Sequence, residues 1–431
     1  VPRGWQLIPL ALAVALLAAA AAVSAASPSP RPARVLGHGA WSWFGDPRAV
    51  SYRGSTYAGW IDGHGDVRIA AYDQRRGTVL HGPVLKRHLG RDDHNNPSLV
   101  VRPDGRLMVF FSPHSGRNLP PPGIPSRMYY RLSRRPGDIR SFGPLRTVRP
   151  NTPGGLGYTY PNPVQIGRTV LLFWRGGNWQ PTLSTWRPGR RWSRARTVIR
   201  AAGSQRPYVK YAARQGRGID MAFTQGNPGS ARTSIYYGRL RRGRFLSASG
   251  ATVGRLASGP LTPRRADRVY NGRGRSGRAW IMDTAIGRDG RPAMVFATYP
   301  ARRAVDYRYA RWDGRRWRQR VMLRSQPPLA GNYPAGASLD HADPSVVVLA
   351  RKVGGRFEIE RWRTPDGGRT WRSEAVTRDS RQDNVRPVVP RGGHAVVWMR
   401  GRYRHWRAYF TRIAVTDGRA RVAVPALLEN P

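Results

Sequence analysis

Five side chains in this sequence have the types needed for proton transfer beside a bound anion: His94, His114, Tyr160, Arg175 and Tyr208. Histidine and tyrosine carry protons in general acid-base catalysis, and arginine offers a planar fork that fits a carboxylate or sulfate. Each sits at the edge of an apolar run. His94 opens "HNNPSLVV", His114 closes "VFFSPH", Tyr160 lies in "GYTYPNPV", Arg175 ends "VLLFWR" and Tyr208 begins "YVKYA". The stretch "DDHNN", Asp92 to Asn96, packs a histidine among four other polar groups just before a strand-like segment. Taken singly, each residue has a plain structural reading: a satisfied His or Tyr at a strand end, or an arginine paired with a neighbouring acid. Only their convergence would make a site.

The elements that would bring them together are strands. Beyond residue 40 there is no amphipathic helical pattern, and short β-branched and aromatic runs punctuated by Gly, Pro and Asp-Gly recur throughout. The same order returns about every 40–50 residues: a Pro-flanked strand, a Gly turn, an apolar strand, a Tyr/Arg-rich strand and a Trp-containing strand. Units begin near "DPRAVSY", "NNPSLVV", "YPNPVQI", "RPYVKYA", "AWIMDTA", "ADPSVVV" and "VRPVVPR". Seven such units predict an all-β, seven-bladed β-propeller forming a single domain. A β-sandwich or a two-domain arrangement would leave the recurrence unexplained. Within a blade, strand one runs antiparallel to strand two, so the start of one and the end of the other share a face. His94, Tyr160 and Tyr208 fall at strand-one starts, and His114 and Arg175 at strand-two ends, so all five are expected on one face.

"TPDGGRTW", Thr364 to Trp371, fits the Asp-box turn of sialidase-like propellers, in which the Asp caps backbone amides and the Trp packs between strands. "STWRPGRRW" and "ARWDGRRW" read as worn copies. All three are fold markers rather than catalytic motifs.

Composition narrows the partner. The chain has 74 basic against 24 acidic residues, a formal charge of +50, and no cysteine. That balance fits a polyanionic partner, although the scattered arginines are also what a compositional bias would leave. Neither disulfides nor thiolate metal sites hold the fold. Arg3 followed by "LIPLALAVALLAAAAAVSAA" reads as a secretory signal over residues 1–26, with a flexible linker at 27–39 and the propeller from 40 to 431. An uncleaved anchor is the competing reading of that run. A secreted, extracellular monomer with no stable membrane insertion after signal cleavage is expected. Nucleic acid is not an expected partner, because no helix-turn-helix, finger or RNP-like pattern is present.

"DDHNNP", "PHSG", "TYPNPV", "RPYVKY", "DHADPSV" and "NVRPVVPR" followed by "VVWMRG", in this order, resemble the BNR-4 repeat family of secreted propellers. That family includes the ulvan lyases of polysaccharide lyase families 24 and 25, and the resemblance spans roughly Ala40 to Val415. It implies β-elimination at C5 of a uronic acid in an anionic polysaccharide. By the same resemblance Arg175 neutralises the uronate carboxylate, His94 takes part in proton abstraction and Tyr160 acts as base or acid. His114 and Tyr208 would orient substrate, and Asn95 would contact it or cap the strand start. The chain departs from the family at "QGNP", Gln225 to Pro228, where Asp-Gly-His-Pro is common, which removes support for a metal at that place. His341 of "DHADP" stands apart in sequence, so no essential cofactor or catalytic metal is expected, while a structural calcium or zinc stays open. A non-catalytic carbohydrate-binding propeller is the alternative function. A sialidase-like hydrolase is a weaker one, since paired carboxylates are not apparent near these residues.

Overall fold

The computed structural model describes residues 1, 32–114, 127–148, 158–214, 216 and 218–417. The expected signal segment therefore lies outside the described residues, apart from Val1. Seven antiparallel sheets form the propeller. Their inner strands are Ala49–Tyr52, Ser98–Val101, Thr159–Ile166, Tyr208–Arg214, Ala279–Ile286, Ala337–Leu339 and Asn384–Val388. Six of these begin the units read from sequence. In the sixth unit the apolar run of "ADPSVVV" is instead the second strand, Val346–Val353, and the shorter Ala337–Leu339 lies inside it. A run that apolar is explained by burial on both faces between adjacent blades, which the second strand also experiences.

Turn chemistry sets the hairpins. In "RPDGR" Asp104 accepts from the Arg106 amide at 3.1 Å, while Gly105 takes φ +76°, a value that costs other residues a Cβ clash. The Asp box behaves as read. Asp366 Oδ1 accepts from the amides of Arg369 and Thr370, each at 2.9 Å. Trp371 packs edge-on against Tyr309, with ring centroids 5.4 Å apart. Asp313, in one of the worn copies, caps the amides of Arg315 and Arg316 at 2.8 Å.

One boundary needs correction. Residues 27–39 were expected to be a flexible linker, but Arg34–His38 is the outermost strand of the seventh blade, with Arg34 opposite Val415 and His38 opposite Arg412. An otherwise open ring gains a non-local clasp in this way, and Leu36 is fully buried by it. The chain then crosses the hub: Trp43 and Phe44 lie against Trp280, Tyr160, Tyr208 and Tyr333, which belong to or lead into four different blades. The Lys210 ammonium holds this crossing through the Trp43 carbonyl and Asp46.

Candidate functional site

A backbone irregularity aims the first tyrosine. Thr159 pairs with Arg175 and Asn162 with Phe173, so one extra residue is accommodated between them and the strand bulges at Tyr160-Pro161. Tyr160 adopts φ +57°, a left-handed conformation that costs a non-glycine residue on the order of 1–2 kcal/mol. The Asn162 amide pins the bulge by donating to the carbonyls of Tyr160 and Phe44, both at 2.8 Å. The same device recurs at Arg386-Pro387 in the seventh blade, where Arg386 has φ +51° and Val385 and Val388 pair across a register shift.

The five residues do converge. His94 sits in a short helical turn, Asp93–Asn95, whose cap Asp92 accepts from the His94 amide at 3.0 Å. The His94 and His114 rings stack with centroids 4.1 Å apart and 15° between planes. His94 is 5.5 Å from Tyr160, and Tyr160 is 6.2 Å from Tyr208, centroid to centroid. Arg175 closes the group, its guanidinium carbon 4.9 Å from the Tyr160 ring centre and 3.9 Å from that of Tyr208. His94, Tyr160, Arg175 and Tyr208 keep only 8, 6, 6 and 9% of their surface exposed, and the two cavities they line are narrow, each with about 10 Å³ of free volume. Asn95 plays a supporting part in the geometry. Its amide donates to the carbonyls of Leu89 and Gly90, and its oxygen accepts from the His114 amide at 2.5 Å.

The charges are unevenly distributed. Asp92 accepts from His94 Nδ1 at 2.6 Å and from His114 Nδ1 at 3.2 Å. Asp93 lies 3.1 Å from the same His94 nitrogen. Burial pulls the His94 pKa down, but the two carboxylates outweigh it and hold the imidazolium up to about 10. Burial and the charge of His94 push His114 the other way, so the stack pairs a cation with a neutral ring. Burial raises the Tyr160 hydroxyl well above its ordinary value, and the neighbouring Tyr208 adds to the shift. Tyr208 is equally buried, yet the Arg175 guanidinium overcomes that penalty and lowers it. Arg175 itself spends Nη2 on the carbonyls of Pro207, at 3.1 Å, and Arg206, at 3.4 Å. Its Nε is buried without a partner, and among the described residues no carboxylate pairs with it.

Asp92, His94 and His114 also form the one group of three metal-type side chains found among the described residues, with ligand atoms within 4.8 Å of one another. A His-Asp-His set suits zinc better than calcium, which prefers oxygen. Both Nδ1 atoms already face Asp92, and an ion would have to displace the proton that two carboxylates hold on His94. His341, which stands alone in sequence, lies against Asp283 with Nε2 3.2 Å from either carboxylate oxygen.

Several site residues escape a sequence reading. Asp93 is buried against Arg386 at 2.6 Å and receives the Tyr403 hydroxyl at 2.7 Å, tying the histidine turn to the seventh blade. Trp43 and Tyr333 stack 4.9 Å apart beside the tyrosines. Asn227, within the "QGNP" departure, donates to the Tyr208 hydroxyl at 3.3 Å. Only the X-Pro pairs two residues into strand one could have flagged the bulges, since proline in a strand favours such positions.

Solved structures share this architecture. An ulvan lyase of family PL25, solved with bound -[GlcA(1-4)Rha3S]-, superposes with a TM-score of 0.66 at 16% identity, covering 93% of this chain and 98% of that one. The polysaccharide lyase Uly1 superposes with a TM-score of 0.52 at 11% identity, over 89% of this chain and 91% of its own. At such identities the likeness is one of fold. No curated protein matches the chain in sequence. The family model described as "BNR repeat-containing family member" matches residues 55–324, from the first blade through the fifth. With well over half of the sequence matched and the repeats built as propeller blades, the chain belongs to the BNR repeat-containing family.

Proposed function

We propose that this protein is a polysaccharide lyase that cleaves a uronate-containing anionic polysaccharide by β-elimination. The carrying observation is the Arg175 guanidinium, buried with no carboxylate beside it among the described residues and flanked by two tyrosines whose pKa values are driven apart. Paired groups with diverging pKa values make a natural base and acid. Arg175 and the His94 imidazolium would hold the uronate carboxylate, so that negative charge building at C5 is delocalised against fixed cations. Tyr208, lowered by Arg175, takes the C5 proton. The electron pair forms the C4–C5 double bond, the C4–O bond breaks, and Tyr160, kept protonated by burial, gives its proton to the leaving oxygen. Tyr208 thereby takes the role of base that the family resemblance left between His94 and Tyr160, and His94 acts as a cation. The ulvan lyase of the same fold, solved with a glucuronate-rhamnose-sulfate ligand, supports this substrate class.

The test is the ultraviolet absorbance of an unsaturated uronide after incubation with ulvan and other uronate polymers. Arg175→Lys keeps the charge but loses the fork and should cut the rate by about 100-fold or more, at unchanged circular dichroism. Full activity in that variant would move the site elsewhere. The small exposed fraction of the four central residues favours one competing reading, in which a polymer binds the surface without reaching them and is not cleaved; saturable binding with no unsaturated product would establish it.

A further inference from the structure

From the Tyr208 hydroxyl, which accepts from Asn227, a chain of hydrogen-bonded polar groups leads toward the fifth blade. Asn332 donates to the Asn227 oxygen at 3.2 Å, and the Tyr299 hydroxyl donates to the Asn332 carbonyl at 2.8 Å. Beyond them Arg278, Arg302 and Arg303 line a pocket with Tyr299 and Asn332. Arg278 directly precedes the inner strand Ala279–Ile286, and Arg302 and Arg303 form the turn between Pro292–Ala301 and Ala304–Trp312. All three therefore leave the blade on the face that carries Tyr160 and Arg175.

Arginines elsewhere have acids at hand: Arg239 on Asp220 at 2.6 Å, Arg311 on Asp289 at 2.8 Å and Arg351 on Glu360 at 2.6 Å. Among the described residues no carboxylate reaches Arg278, Arg302 or Arg303, and the pocket lining holds none. The Arg278 guanidinium carbon lies 5.6 Å from the Tyr299 ring centre, and its Nε is buried without a hydrogen-bond partner. Clustered guanidinium groups repel one another, and a buried donor left unpaired costs free energy, so an anion at this place would relieve both.

We infer that Arg278, Arg302 and Arg303 form an accessory subsite of the cleft that takes a sulfate ester or carboxylate on a polyanionic chain whose neighbouring unit lies against Tyr208. This rests on the reading of the cleft as a binding place for an anionic polysaccharide. Calorimetric titration of the full chain with dextran sulfate, polygalacturonate and uncharged dextran tests it, with binding read separately from product formation. Arg302→Ser/Arg303→Ser, on an exposed turn, and Arg278→Gln should each weaken polyanion binding about tenfold and flatten its salt dependence. The control Arg190→Ser/Arg191→Ser, which removes the same two charges as the double variant but on the outer turn of the third blade, should stay within about twofold. A loss confined to dextran sulfate assigns a sulfate ester, and one confined to polygalacturonate assigns a carboxylate. Unchanged binding in the subsite variants, or an equal loss in the control, overturns the inference. Binding that responds as expected, with no unsaturated product from ulvan or other uronate polymers, would refute the lyase reading and leave the subsite standing.

Discussion

Replacing Asp92 with Asn removes one of the two charges that keep His94 protonated while leaving a side chain of the same shape. Asp92 Oδ1 is 2.6 Å from His94 Nδ1 and Asp93 Oδ1 is 3.1 Å away, and together they hold the ring at about 10 instead of its ordinary 6.5. At an effective dielectric near 20, two charges about 4 Å apart interact by about 4 kcal/mol, equivalent to roughly 3 pKa units. Losing one of two such partners should bring the imidazole to about 7–8. Because the folded value is raised above the unfolded one, the stabilisation is fully present below pH 6.5 and is lost as pH rises through about 10. Wild-type stability should thus fall by about 1.4 kcal/mol per pH unit across that window, and in Asp92→Asn the decline should end near pH 7–8. Nitrogen-15 NMR titration of the histidine rings gives the pKa directly, and urea midpoints taken from pH 6 to 10 give the slope. A wild-type His94 that titrates near 6.5, or an Asp92→Asn ring that does not move, would show that these carboxylates do not govern the site.

Asp366→Ala removes the cap of the Asp-box turn and should lower the midpoint of a denaturation curve with turnover unchanged; a loss of activity without a loss of stability would give that turn a part in the chemistry. Leu36→Ala empties a fully buried position on the clasp strand and should cost about 2–5 kcal/mol, whereas a neutral result would mean that the ring does not depend on its N-terminal strand.

The fold was legible because propeller blades announce themselves locally. Alternating strands, Asp-Gly turns and the Asp box at Thr364–Trp371 are short-range patterns whose hydrogen bonds close within a few residues. The face shared by His94, His114, Tyr160, Arg175 and Tyr208 was legible for a related reason: strand polarity follows from chain order once the strands are known. The clasp was missed because Arg34–His38 is too short to stand out and its partner, Val415, is nearly the whole chain away. The sixth inner strand was misplaced because Ala337–Leu339 carries little apolar signal beside Val346–Val353.

Residue types and their order determined which groups were available for acid-base chemistry, that an arginine would stand among them, and that seven similar sheets would carry them. The tertiary structure alone decided their electrical states. Tyr160 and Tyr208 are the same residue type at matching ends of neighbouring inner strands, yet one is held protonated and the other is pulled toward ionisation. That difference comes from which ring the Arg175 guanidinium lies closer to and from how burial weakens solvent screening, and both depend on distances between blades that no local pattern encodes.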